Sequence, residues 1–390
     1  MSERIVRIAA RGDGVTESGR HVPFGVPGDT LLDDGLLAPG PHHQDPPCRH
    51  FPECGGCQLQ HVDDVAYRGY LVSRVETALA QHALETEIRA PHLSPPNSRR
   101  RASLRALKVG KGAVIGFNGT KSHRIVDMRE DHILRPELFT LVDPLRRLLG
   151  DLLQSRRTAE VQMTVVDQGV DVTLKGVEPQ GLAAMEALTA FCEAQALARL
   201  SIDQGFGAET LYEPVPATIS LSAIPVAFPV GGFLQATADG EEALAGAVTE
   251  VVGDAKRIAD LFAGLGTFAL TAKASYAAEA SRDAAAALKR AAPNMAVEHR
   301  DLYRRPLARD ELAAFDAVVL DPPRAGAEEQ ITALANSSVQ RIAYVSCNPA
   351  TLARDAKMLV DGGYALDWVR PVGQFRWSTH VELASCFTRG

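Results

Sequence analysis

The stretch RIADLFAGLGTF, residues 257–268, decides the fold. A short apolar run ends at Asp260 and breaks into Gly264 and Gly266, whose missing Cβ atoms permit a tight turn and let the backbone approach a ligand. This is the pattern of a buried strand running through a nucleoside-type loop into a helix, although an ordinary strand-to-helix turn reads the same way. The texture recurs downstream in YAAEA (276–280), DAVVLDPP (316–323) and RIAYVSCNP (341–349), each apolar run followed by a loop or helix. Residues 226–390 therefore read as a doubly wound α/β, Rossmann-like domain.

Upstream the texture differs. Between residues 99 and 225 short strands such as AVIGF (113–117) and VQMTVVDQGVDVTLKG (161–176) accompany one Ala-rich helix at 180–198. With an amphipathic helix carrying Val65, Leu71, Val72, Val75 and Leu79 and ending near His82, they predict an α+β central domain over 62–225. Residues 1–42 alternate short β-like runs with glycine turns, then break off after Thr30 into LLDDGLLAPGP, which predicts a truncated β segment. A cysteine segment fills 43–61.

Of 390 residues, 46% are hydrophobic and 23% charged, as in ordinary globular proteins, and no apolar run nears the roughly 18 residues of a membrane span. The N-terminus lacks the apolar core of an export signal, so the expected location is the cytoplasm, with no membrane partner and a monomeric state. A net charge of −7 argues against a nucleic-acid partner. Locally, however, Arg99, Arg100, Arg101, Arg105, Lys108 and Lys111 fall within thirteen residues free of acids, either a solvated strand face or a phosphate-contacting surface.

In open parallel sheets ligands sit beyond the carboxyl ends of strands, so the residues found there form a functional inventory. Glu279 ends the second strand, where an acid can accept from ribose hydroxyls, and Asp301 follows the third, as an adenine contact or a helix cap. Asp321 precedes two prolines that stiffen its loop. Cys347 ends the fifth strand, with Asn348 and Pro349 opening a helix whose N-terminus is expected to depress the thiol pKa. Glu382, in the alternating HVELASCF (380–387), is a candidate base or a solvent-facing strand acid.

DLFAGLGTF, LDPPRAG, VSCNPATLARD and HVEL, in this order, closely resemble the RNA 5-methyluridine methyltransferase family. The resemblance extends upstream, where RHFPECGGCQLQH is similar to the iron–sulfur segment of its ribosomal RNA type and ARGDGVTESGRHV to its oligonucleotide-binding barrel. It implies S-adenosylmethionine as methyl donor and RNA as partner, ribosomal RNA of the large subunit first and the transfer-RNA T-loop second. Cys347 matches the family's nucleophile and Glu382 its base. Gln235, Phe262, Thr267, Glu279, Asp301 and Asp321 match positions around the cofactor or target base, and Phe233 an aromatic that stacks near the flipped uracil.

Cys48, Cys54 and Cys57 have the C-x5-C-x2-C spacing of the family's four-iron four-sulfur site. The family's fourth cysteine falls in a segment that here reads VDMREDHIL, with Asp131 in its place and His132 adjacent. The expectation is a cluster completed by Asp131. A cluster completed by His132, a three-iron cluster, or a zinc site of three cysteines and His132 are the alternatives.

Overall fold

The computed structural model describes residues 2–390, which form two compact units. One comprises the residues up to Pro47, Gln58–Ser94 and Asp239–Gly390; the other comprises Cys48–Cys57 and Pro95–Ala238.

The first unit is built on a nine-stranded sheet. Its strands are β1 (Ile258–Leu261), β2 (Tyr276–Glu279), β3 (Ala296–His299), β4 (Ala317–Leu320), β5 (Arg341–Ser346), β6 (Ala365–Gly373) and β7 (Glu382–Thr388). They are ordered β3-β2-β1-β4-β5-β7-β6, with Glu87–Ile88 and His92–Leu93 pairing in parallel on the outer edge of β6. β1 to β5 are mutually parallel and β7 runs antiparallel to both neighbours. All four residues of β1 and of β4 are buried, as expected of strands covered on both faces. The doubly wound domain expected from the sequence is therefore present.

The helix Asp64–Ala80, capped by the Asp63 carboxylate accepting from the Ala66 amide at 2.8 Å, belongs to this unit rather than to the central domain in which it was expected. Its buried Tyr67, Leu71 and Val75 share a core with Leu352, Leu359 and Val369. Its spacing announces an apolar face but not the partner that covers it. Val65, placed on that face by the sequence, is 65% exposed.

The N-terminal segment is likewise more complete than its sequence suggested. Thr30–Leu31 and Leu37–Ala38 extend a five-stranded antiparallel sheet beyond the point where the pattern broke off. Between them Gly35 takes φ +84° and the Leu36 amide donates to Asp34 at 2.9 Å, so LLDDGLL is a hairpin rather than a breakdown of the β pattern.

The second unit holds a six-stranded sheet that includes Arg101–Val109, Gly112–Gly116, Thr158–Val166 and Gly169–Lys175, with the helices Val142–Leu152 and Gly181–Ala194. Its α+β character matches the expectation. Among the described residues, no helix is long and apolar enough to cross a membrane.

Candidate active site

The strand order reverses between β1 and β4, and in such sheets this switch point opens a crevice at the carboxyl ends of the strands. β1 delivers Asp260 there, then Phe262 at φ +66°, a left-handed backbone that costs a non-glycine residue of order 1 kcal/mol. The amides of Phe262 and Ala263 donate to the Ala278 carbonyl at 3.0 and 3.1 Å, binding this turn to β2. The Glu279 carboxylate accepts from Gly264 at 2.8 Å and Ser281 at 2.6 Å, so it holds the glycine loop while each oxygen keeps a lone pair for a ligand hydroxyl. Gly266, at φ +94°, turns the chain into the short helix α1 (Thr267–Thr271), which starts at Thr267. Beyond β3, Asp301 accepts from the Tyr303 amide at 3.0 Å and pairs with Arg304 at 3.4 Å, closing a turn. That turn sets the Tyr303 ring 5.6 Å from Phe262.

Asp321 follows β4, and burial pushes its carboxyl up to about 7. The loop after it is tied to helix α2 (Pro349–Asp361), the helix that follows Cys347. Asn348 Nδ2 and the Thr351 hydroxyl donate to the Arg324 carbonyl at 3.3 and 3.4 Å, and Arg354 donates to the Ala325 carbonyl at 3.2 Å. Beneath lies Asp355, fully buried, accepting from the Tyr344 hydroxyl at 2.6 Å, the Ala327 amide at 3.0 Å and Arg354 Nε at 2.8 Å. A Cβ on Gly326 would stand 2.7 Å from this carboxylate. Sequence reading passed over Arg324 and Asp355, although both lie within the quoted motifs.

Cys347 and Glu382 lie at the same end of two adjacent antiparallel strands. The register ends at the pair Ser346–Leu383, each of the two residues is the next one beyond it, and the Glu382 charge bears on the Cys347 thiol. Glu382 is 7% exposed and Cys347 half-buried. Asn348 caps α2 as expected, accepting from the Ala350 amide at 3.2 Å. The expected depression of the thiol does not follow. Burial first, then the negative charges of Glu382 and Asp321, push Cys347 up to about 11, and the opposing pull of Arg324 is smaller. Desolvation and two carboxylates outweigh the helix terminus.

Cys347, Glu382, Asp321, Glu279, Phe262, Thr267 and Asp301 are thus gathered along one edge of the sheet, whereas Gln235 and Phe233 stand in the second unit. Gln235 is buried and its carbonyl accepts from Arg100 Nε at 3.0 Å. Phe233 is 59% exposed, with the Arg101 guanidinium 4.5 Å above its ring. The basic stretch is only partly a solvated face. Arg100 is buried, Arg105 pairs with Glu160 at 3.1 Å, and the Lys108 ammonium donates to the Gly150 carbonyl.

Also in the second unit, Cys48, Cys54 and Cys57 are half-buried, and burial raises the thiols of Cys48 and Cys54, with Asp131 adding to both. Three thiols suit a cluster as donors, and Asp131 acts on the same neighbourhood. Yet among the described residues no three His, Cys, Asp or Glu side chains are grouped so as to hold a metal ion. Asp131 Oδ1 accepts from the amides of Ile133 at 2.8 Å and Leu134 at 2.6 Å, and His132 pairs with Glu130 at 2.7 Å. The expected four-ligand site is therefore not assembled among the described residues: one oxygen of Asp131 holds a local turn and His132 is paired with Glu130.

Residues 294–389, which carry both Cys347 and Glu382, match the family model described as tRNA (Uracil-5-)-methyltransferase. An RNA methyltransferase of Zymomonas mobilis is 52% identical over 99% of this chain and 100% of its own length. A 23S rRNA (uracil(1939)-C(5))-methyltransferase of Pectobacterium atrosepticum is 32% identical over 90% of this chain and 82% of its own. The chain belongs to the RNA uracil-C5 methyltransferase family. It is an S-adenosylmethionine-dependent RNA methyltransferase. The fold agrees: the crystal structure of Pyrococcus abyssi tRNA (uracil-54, C5)-methyltransferase in complex with S-adenosyl-L-homocysteine superposes with a TM-score of 0.75 over 100% of both chains at 20% identity.

Proposed function

We propose that this methyltransferase modifies carbon 5 of a uridine in large-subunit ribosomal RNA, with Cys347 as nucleophile and Glu382 as base. The observation that carries the reading is a half-buried thiol and a buried carboxylate just beyond and at the ends of two adjacent strands, close enough for the carboxylate charge to act on the thiol. Carbon 5 of uracil is a poor nucleophile until a thiolate adds at carbon 6. A thiol held near 11 is almost wholly protonated at neutral pH, so Cys347 must lose its proton as the base docks. Arg324 is the cation nearest to hand for the developing thiolate. When bound, S-adenosylmethionine supplies the electrophilic methyl group. Glu382 then takes the remaining carbon-5 proton and Cys347 is eliminated. Asp321, Glu279, Phe262, Thr267 and Asp301 would hold the cofactor at the carboxyl ends of the strands. The base must leave its stack to reach this site.

The similarity to the Pectobacterium enzyme favours ribosomal over transfer RNA, and the protein acts as a cytoplasmic monomer. The C-x5-C-x2-C segment holds an iron–sulfur cluster, a reading supported by the soft donors and their spacing and kept apart from any step of the reaction. Mass-spectrometric mapping of 5-methyluridine in ribosomal and transfer RNA, from cells with and without the gene, tests the substrate. Loss of one large-subunit site supports the proposal, loss of the T-loop site moves the substrate to transfer RNA, and persistence of every site refutes both.

A further inference from the structure

Asp260 is the one acid inside the four-residue strand β1, and it is fully buried. Neither carboxylate oxygen makes a well-formed hydrogen bond, although the Ala269 amide of α1 approaches the group. Ala259 and Leu261 beside it are fully buried too, and across the sheet it sits level with Ala277 on β2 and Val319 on β4. Three groups bear on it electrostatically: Glu279 from the end of β2, Asp321 from beyond β4, and the Ala269 amide of α1. The first two are acids. Burial and both neighbours favour the neutral carboxyl, against which a single amide is too little. A buried polar group without a partner is costly and is kept where a ligand completes it. Here it lies beneath the switch point, where the cofactor binds in this fold.

S-adenosylmethionine carries a fixed positive charge at sulfur that the product, a thioether, lacks. We propose that Asp260 selects for that charge, giving its proton to solvent when the sulfonium cofactor binds and recovering one when the thioether product remains. The neutral carboxyl avoids stacking a third negative charge on Glu279 and Asp321, and an incoming cation removes that penalty. Cofactor binding and proton release are then linked reciprocally. Methyl transfer itself would weaken the hold on the product.

The inference rests on the α/β unit binding S-adenosylmethionine, and the test separates the two. Isothermal titration of the full chain with S-adenosylmethionine and with S-adenosylhomocysteine, at pH 7.5 in phosphate and in Tris, reads protons released as the difference in heat between buffers. The wild type is expected to release a substantial fraction of one proton with the sulfonium and less with the thioether. Asp260→Asn, which keeps the shape of the neutral acid, should lose that difference, and its preference for the sulfonium should fall about tenfold, the charge–charge attraction less the cost of ionising a buried acid. On the wild type alone, S-adenosylmethionine affinity should rise between pH 6 and 9 relative to that of S-adenosylhomocysteine. Equal release in wild type and Asp260→Asn, or parallel pH profiles for the two ligands, overturns the role of Asp260 while leaving the cofactor reading intact. A wild type that binds neither ligand sinks the cofactor reading and this one with it.

Discussion

The thiol of Cys347 offers the sharpest contrast between what its sequence setting promises and what its surroundings impose. A thiol at about 11 rather than the ordinary 9.0 leaves roughly 100-fold less thiolate at pH 8. The more basic thiolate is intrinsically more nucleophilic, and a Brønsted slope of about 0.4 returns ~6-fold. Alkylation of Cys347 by iodoacetamide at pH 8, followed by peptide mass spectrometry, should therefore run about 10- to 20-fold slower than that of an ordinary exposed cysteine. Partial burial slows it further. The rate should climb about tenfold per pH unit up to at least pH 10. Glu382→Gln and Asp321→Asn each remove a negative charge that raises the thiol, so each should speed alkylation at pH 8 several-fold. A wild-type rate that is already flat between pH 7 and 9 would mean that the helix N-terminus governs the thiol after all, and the electrostatic reasoning would be wrong.

Cys347→Ala should abolish both methyl transfer and the covalent adduct with 5-fluorouridine RNA, whereas Glu382→Gln should accumulate a methylated adduct with natural RNA; denaturing gels read both, and an adduct on the Ala variant excludes Cys347 as nucleophile. Asp260 is raised well above its ordinary value in the folded chain, so it lowers stability as pH rises past its unfolded value near 4. Asp260→Asn should then melt at the same temperature as wild type at pH 4 and at a higher one at pH 8, and a lower melting temperature at pH 8 contradicts the assignment. Gly326→Ala meets a φ of +84° and the Asp355 carboxylate, which predicts a loss of about 1–3 kcal/mol in denaturant unfolding together with slower adduct formation. Protein purified without oxygen should contain iron and acid-labile sulfide in proportion to intact Cys48, Cys54 and Cys57; their absence from such a preparation rules out the cluster.

Several readings needed no coordinates. The apolar runs that end at Asp260, Glu279, Asp321 and Cys347 identified a doubly wound sheet and ordered its loops, because buried parallel strands are continuous apolar segments that need no partner in sequence to be recognised. The Asp33-Asp34-Gly35 hairpin was hidden by strands only two residues long, too short to show alternation. Asp260 could have been marked by its charge inside IADLF, since an unpaired acid in an otherwise apolar strand calls for a reason.

The sequence by itself determined the fold class, the family and the candidate nucleophile and base, since these depend on local patterns that survive without knowledge of neighbours. Only the tertiary structure decided that Cys347 and Glu382 come to the same end of adjacent strands, that two carboxylates and burial raise the thiol, and that helix Asp64–Ala80 joins the first unit. The physical reason is common to all three. Desolvation, charge–charge energy and the choice of packing partner are set by atoms distant in sequence, and a residue's own neighbours along the chain do not encode them.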